Sequence, residues 1–244
     1  MSGHSHAKNV KRIKEADAKK RSKIFSKISR LILVAVREGG PNPEINSKLR
    51  LAIEMARQFN MPKENIERAI KRAVGEREGE KLEEICLEAL GPGGVAIIIE
   101  GITDNKRRTL NEIKQILSEN QGKLVAEGGV KWMFEKKGCI CVNSKEPPNN
   151  QKNKEDLELI AIEAGAQDLY WEKDILEIYT EIKDLEKVKK ELENRGIKVE
   201  SATLDWVPKE RIKVDENTKK NCEKLFFALD ENDAVQEIYS NLKL

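Results

Sequence analysis

The sequence predicts an α+β multidomain protein: an N-terminal all-helical domain followed by two α/β-sandwich domains, one ferredoxin-like and inserted in the other. Three observations predict it. Up to Gly75 apolar residues recur at helical spacing. Beyond Gly75 short alternating runs interleave with amphipathic helices. The charge changes sign at the same place: residues 1–75 hold 18 Lys and Arg against 7 Asp and Glu, a net of +11, and the remainder holds 27 against 36, a net of −9. The 244-residue total of +2 conceals this division, which points to an end that meets a polyanion.

Lys8–Lys20 is polar on every side and predicts a marginal helix that orders on binding. From Arg21, the residues Ile24, Phe25, Ile28, Leu31, Ile32 and Ala35 keep helical spacing until Gly39-Gly40-Pro41 stops them. A helix from about Ser47 places Leu49, Ala52, Ile53 and Ala56 on one face. Another, from Pro62, places Ile66, Ala69, Ile70 and Ala73 inward and closes at Gly75. Leu82–Ala89 and Val95–Glu100 read as strands around the turn Gly91-Pro92-Gly93-Gly94. Thr103 or Asp104 is the expected N-cap of a helix with Leu110, Ile113, Ile116 and Leu117 inward, ending near Gly122. Val130–Phe134 and Gly138–Val142 follow as strands, and Pro147-Pro148-Asn149-Asn150-Gln151 reads as a linker or long turn.

The next stretch is self-contained. A helix with Leu157, Ile160, Ala161 and Ala164 ends at Gly165, and strands follow at Asp168–Trp171 and Ile175–Thr180. A helix with Leu185, Val188 and Leu192 stops at Gly196, and a strand runs Lys198–Leu204. With the strand at Cys139–Val142 this is β-α-β-β-α-β, the ferredoxin-like order. A last helix, Glu216–Leu229, and a last strand, Val235–Tyr239, complete the sheet begun at Leu82. The expected domains are therefore 1–75, a basic arm plus helical domain; 76–135 with 205–244, a discontinuous α+β domain; and 136–204, the inserted ferredoxin-like domain.

Catalytic constellations are scarce, and an enzyme is not expected. The only histidines are His4 and His6, so a nucleophile has no base outside the N-terminal tail. Cys86, Cys139, Cys141 and Cys222 form no CxxC pair, and Cys139 and Cys141 share one side of a strand as small core residues. Gly91-Pro92-Gly93-Gly94 precedes a strand, whereas a phosphate cradle follows one and opens a helix. No metal site and no cofactor is expected. The longest apolar run, Leu31–Val36, is far short of the ~18 residues of a membrane span. Without an apolar leader, the expected location is cytoplasmic.

Nucleic-acid binding is where the residues point. Lys8, Lys11, Arg12, Lys14, Lys19, Lys20, Arg21, Lys23, Lys27 and Arg30 face only Glu15 and Asp17, a net of +8 within 23 residues. Lys63, Arg68, Lys71 and Arg72 lie outside the apolar face of the helix from Pro62. Glu64–Arg68 and Glu67–Lys71 are i, i+4 pairs that would also serve the helix itself, while Lys63, Arg72 and Arg50 have no obvious partner. Phe25 and Phe59, the aromatics of the first 75 residues, fit apolar faces, so no base-stacking platform is expected. No helix pair suited to the major groove is visible. What remains is phosphate-dominated binding with modest base discrimination, to duplex DNA or structured RNA.

Several segments resemble the YebC/PmpR family, which includes the mitochondrial translational activator of cytochrome c oxidase subunit I. They are Ser2-Gly3-His4-Ser5, Arg37-Glu38-Gly39-Gly40-Pro41-Asn42-Pro43-Glu44, the block from Asn60 to Arg72, and Gly91-Pro92-Gly93-Gly94-Val95-Ala96. Thr103-Asp104-Asn105 with Arg108-Thr109, Trp132-Met133-Phe134, Glu163-Ala164-Gly165-Ala166 and the stretch from Val235 to Asn241 continue the match. The resemblance implies three domains, the third inserted into the second, in a non-enzymatic regulatory protein. Family members are described as DNA-binding transcriptional regulators or as ribosome-associated factors that help translate proline runs. The basic arm and the helix from Pro62 would be the nucleic-acid surface in either role. Two positions depart: His6-Ala7 stand where the family has Lys-Trp, and Arg107 stands where it has a second Asn.

The expected function is thus a non-enzymatic cytoplasmic nucleic-acid-binding regulator of gene expression, resembling DNA-binding transcriptional regulators, that grips phosphates of duplex DNA or ribosomal RNA through its basic arm and helical domain. One alternative is a translation factor bound to ribosomal RNA and the ribosome. Another is a protein-interaction module using the acidic α/β domains.

Overall fold

The computed structural model describes residues 18–75 and 82–243, with side chains from Arg21 onward. They form an α+β multidomain fold, helices first and then two antiparallel sheets with helices. The described residues divide into two compact units, one reaching to Met133 and resuming at Pro208, the other spanning Phe134–Val207.

The first unit opens with α1 (Ala18–Gly39), α2 (Ser47–Gln58) and α3 (Lys63–Gly75). α1 packs against both other helices, and its second half, Ile32 to Val36, is buried without interruption. Such a run belongs to a helix covered all round rather than on one stripe. Leu49, Ala52 and Ala56 of α2 and Ile66, Ala69 and Ala73 of α3 are buried at helical spacing. Asn46 joins α1 to α2. Its side chain accepts from the Leu49 N–H as N-cap and donates to the carbonyls of Ala35 and Gly40 at 2.7 and 2.8 Å. A Cβ at Gly39 would stand 2.7 Å from that side chain, so the glycine makes room for the staple.

A four-stranded sheet follows in the order β3-β1-β2-β8, formed by Lys123–Leu124, Glu83–Leu90, Ala96–Thr103 and Val235–Ser240. The C-terminal strand does complete the sheet that β1 begins, pairing antiparallel with β2. β2 is central, and its Ile97, Ile98 and Ile99 are inaccessible to solvent. α4 (Lys106–Glu119) and α7 (Glu216–Asp230) pack together beside it. Gly93, in the β1–β2 turn, has φ +67°, and a Cβ there would meet the Thr218 methyl at 2.7 Å.

Several expectations change here. Asn105, not Thr103 or Asp104, caps α4, because its side chain reaches the Arg108 N–H. Leu110 is exposed and Ile116 half-buried, while Thr109, Ile113 and Leu117 line the buried face. Val130–Phe134 is not a strand: Lys131–Met133 is a 3-10 turn, and one strand, β4, runs Phe134–Asn143. The loop before it is pinned by Glu88, a buried carboxylate on β1 that accepts from the N–H groups of Gly128, Val130 and Lys131, each at 2.7 Å. Burial raises the Glu88 pKa, but these three donors outweigh it and hold the carboxyl below its ordinary range.

The second unit is ferredoxin-like in order. β4, α5 (Lys154–Ala164), β5 (Asp168–Glu172), β6 (Ile175–Thr180), α6 (Leu185–Asn194) and β7 (Ser201–Pro208) give a sheet of order β5-β6-β4-β7. Alternation sorts its faces: Ile140, Val142, Leu176 and Ile178 pack with α5 and α6, while Cys139, Cys141 and Tyr179 point the other way. β7 begins three residues later than the alternation from Lys198 suggested, because Ile197 and Val199 pack into the core before the strand starts. The Pro147-Pro148 stretch is the long turn of the two expected readings, not a linker. Asn149 within it is buried, donates to the Asn143 and Lys198 carbonyls at 3.0 and 2.9 Å, and accepts from the Lys198 N–H at 2.8 Å.

Candidate nucleic-acid interface

The basic residues of α1 fall on two faces. Lys23 and Lys27, at i and i+4, turn toward the C-terminal end of α7, and Arg30, three residues on, stands at the border between that face and the next. Lys23 pairs with Glu231 at 3.2 Å. Lys27 donates to the Asp230 carboxylate at 2.9 Å and to its carbonyl at 3.1 Å. Arg30 donates to the Asp233 carbonyl at 2.5 Å. A helix C-terminus carries unpaired carbonyls and partial negative charge, so it attracts cations. Nothing in the local sequence of α1 announces this partner, some 200 residues away along the chain.

The neighbouring face of α1, with Ser22, Ser26 and Ser29, lines a groove of about 540 Å³ opposite α3, rimmed by Leu82 and the start of α4. Arg30, Arg68, Arg72 and Arg108 converge there, against the single carboxylate of Asp104. Arg68 and Arg72 are exposed and come from one face of α3. Arg108 is held by Asp104 at 2.5 Å, with Glu112 at 3.7 Å. Phe25, Leu33, Met61 and Ala69 supply the apolar part of the lining.

The expected residues thus separate. Lys8, Lys11, Arg12 and Lys14 lie outside the described residues, as do His4 and His6. Lys19 and Lys20 belong to the first turn of α1, and Arg21 is exposed. Arg30, Arg68 and Arg72 meet in the groove, whereas Lys63 and Lys71 do not line it. Lys63 pairs with Glu67 at 3.6 Å, in place of the Glu67–Lys71 contact that the spacing suggested. Phe25 is half-buried and open to the groove, not spent wholly on the core. Arg108 was missed. Its signal was available: the first turn of α4 reads Lys106-Arg107-Arg108, where the helix dipole disfavours cations.

Other chemistry finds little support. Among the described residues no group of three His, Cys, Asp or Glu is placed to hold a metal ion, and no helix is long and apolar enough to cross a membrane. The Cys139 thiol is pushed well up by its hydrogen bond with the free Cys141 and by burial. Burial, then Glu223, pushes Cys222 up to about 11. Neither is a thiolate at neutral pH.

Comparison with known proteins agrees over the whole chain. Residues 5–76 match the model of the TACO1/YebC protein N-terminal domain, and residues 82–242 match that of the TACO1/YebC second and third domain. A probable transcriptional regulatory protein of Halothermothrix orenii is 47% identical, covering 100% of this chain and 96% of the relative. One from Thermotoga petrophila is 46% identical, covering 100% and 94%. The crystal structure of a conserved hypothetical protein from Aquifex aeolicus superposes with a TM-score of 0.84 at 44% identity, covering 93% of this chain and 91% of that one.

Proposed function

We propose, on the premise that the chain belongs to the TACO1/YebC family, that it regulates gene expression without catalysis by gripping nucleic-acid phosphates. The observation that carries this reading is the convergence of Arg30, Arg68, Arg72 and Arg108 on one groove of a region whose first 75 residues have a net charge of +11. Guanidiniums grip phosphate bidentately and stay charged at every physiological pH. The relatives' names support transcription and hence duplex DNA as the target. The arm, from Lys8 through Lys20, adds sequence-independent attraction and works in the cytoplasm, where nucleic acid is at hand. The division into 1–75, 76–135 with 205–244, and 136–204 assigns phosphate binding to the first part with Arg108 of the second, and leaves the rest of the acidic remainder for protein partners.

A second reading, ribosomal RNA, is favoured by the shape of the site. The arginines line a concavity rather than a projecting helix, and folded RNA offers single-stranded segments that enter concavities. The test measures binding of a random 30-bp duplex and of purified ribosomes across salt. It compares the full chain, the chain lacking residues 1–17, and an Arg68→Gln/Arg72→Gln variant. Six phosphate contacts on duplex DNA give a log–log salt slope near about −5. Sequence-dependent duplex binding that survives at physiological salt supports the transcriptional role. Tight ribosome binding beside weak, unselective duplex binding assigns the protein to translation. No salt-dependent binding to either overturns the proposal.

A further inference from the structure

We infer that the groove between α1 and α3 is a pocket for one unstacked ribonucleotide of a single-stranded RNA, base inward and phosphates on the arginines. The inference rests on the second, ribonucleic-acid reading above and adds where a base goes. The lining has two chemistries. Phe25, Leu33, Met61 and Ala69 make an apolar wall, and Arg30, Arg68, Arg72 and Arg108 surround it with positive charge. A bare polyphosphate has no use for the wall, and an apolar ligand has none for four guanidiniums. A nucleotide has both halves. Leu33, Met61 and Ala69 are already buried, but Phe25 keeps exposed area on which a planar base can rest. The volume of about 540 Å³ lies within the range of small-molecule sites. A base still paired in its duplex stack cannot enter a recess of this kind without being turned out.

The polar groups suit the same ligand. Asn65 and the hydroxyl of Ser26 offer donors and acceptors to a base edge. Ser29 spends its proton on the Phe25 carbonyl at 2.7 Å and presents an acceptor. Asp104 commits the pocket to RNA. Arg108 already meets part of its charge, so what a ligand can add is a proton donor, and the 2′-hydroxyl is the ribose donor that RNA has and DNA lacks. One oxygen of Asp104 holds Arg108, which leaves the second to accept from the ribose.

The experiment is a methyl NMR titration of the full chain labelled at methionine, with adenosine 5′-monophosphate, its 2′-deoxy form and inorganic phosphate as probes. Met61 lines the groove and Met133 does not. Adenosine 5′-monophosphate should shift the Met61 methyl saturably and leave Met133 still, and the deoxy form should bind about five-fold more weakly, the worth of one hydrogen bond. Ser26→Trp fills the groove from an exposed helix position without changing its charge. It should abolish the Met61 response while long RNA still binds through the arm. An equal response to phosphate and to the nucleotide overturns the base pocket, and equal binding of the deoxy form overturns the assignment to RNA. A silent Met61 with long RNA still bound overturns the pocket and leaves the nucleic-acid reading standing, whereas loss of long-RNA binding in the unmodified chain removes both.

Discussion

The helical region and the ferredoxin-like unit both pair many of their cations, but they do so against opposite net charge. Residues 134–207 carry 12 Lys and Arg against 17 Asp and Glu, and many of these cations are answered nearby. Lys145 meets Asp174 at 2.7 Å and Lys198 meets Glu146 at 3.1 Å, Arg195 lies between Glu191 and Glu163, and Lys154 and Lys136 lie over the rings of Trp171 and Trp206. In α3, by contrast, Arg68 and Lys71 make no ion pair among the described residues. A region with a surplus of carboxylates repels a polyanion whichever of its cations are paired. A region with a surplus of cations, such as residues 1–75 with a net of +11, attracts one even where several of them are paired. The comparison separates charges that serve the fold from charges that serve a ligand.

The largest effect should come from the carboxylate most deeply committed to structure. Glu88→Gln removes the charge that three backbone N–H groups face, and unfolding in urea should show a loss of about 3 kcal/mol. The pH dependence has a definite sign. The folded carboxyl titrates below its ordinary 4.5, so its contribution is complete above that value and lost as pH falls through the folded one. The variant should lack that part of the acid slope. Asn149→Ala in the second unit comes next. It strands the Lys198 N–H and two carbonyls at a cost of about 2 kcal/mol in the same assay, with nucleic-acid affinity unchanged.

Arg68→Gln/Arg72→Gln should reverse that outcome. Stability should stay within about 0.5 kcal/mol, while affinity for nucleic acid at low salt falls roughly ten-fold and the salt slope flattens by about 2. Should the matched pair Lys145→Gln/Lys198→Gln weaken binding as much, the two regions do not differ as described. The smallest effect belongs to Lys198→Gln alone. It breaks an exposed pair worth about 0.5 kcal/mol or less, and a thermal melt in high salt should erase even that.

Much of the fold was legible because periodicity is local. The helical spacing of Leu49, Ala52 and Ala56 and of Ile66, Ala69 and Ala73 needs no knowledge of the rest of the chain, and neither does the alternation of Ile175–Thr180. The misreadings share one cause. Lys198–Leu204 alternates like a strand, yet Ile197 and Val199 enter the core as a loop, and pairing along β4 sets where β7 begins. Val130–Phe134 is apolar enough for a strand, but its backbone is committed to Glu88, 42 residues before Val130. The run Pro147–Gln151 fits a linker or a turn equally by composition, and only the approach of Lys198, which makes Asn149 a buried tie, decides for the turn.

The candidate site divides in the same way. Residue type and charge count by themselves determined that the first 75 residues are basic, that helices with apolar stripes lie among them, and that the cations of α3 stand outside its apolar stripe. Tertiary structure alone decided that Lys23 and Lys27 turn to the carboxylates at the end of α7, that Arg108 joins Arg68 and Arg72, and that an apolar wall lies among them. Helical spacing tells which residues share a face, over a reach of a few residues. Which face meets which partner is set by packing between elements far apart in the chain, and the charges sort into paired and open only when that packing is complete.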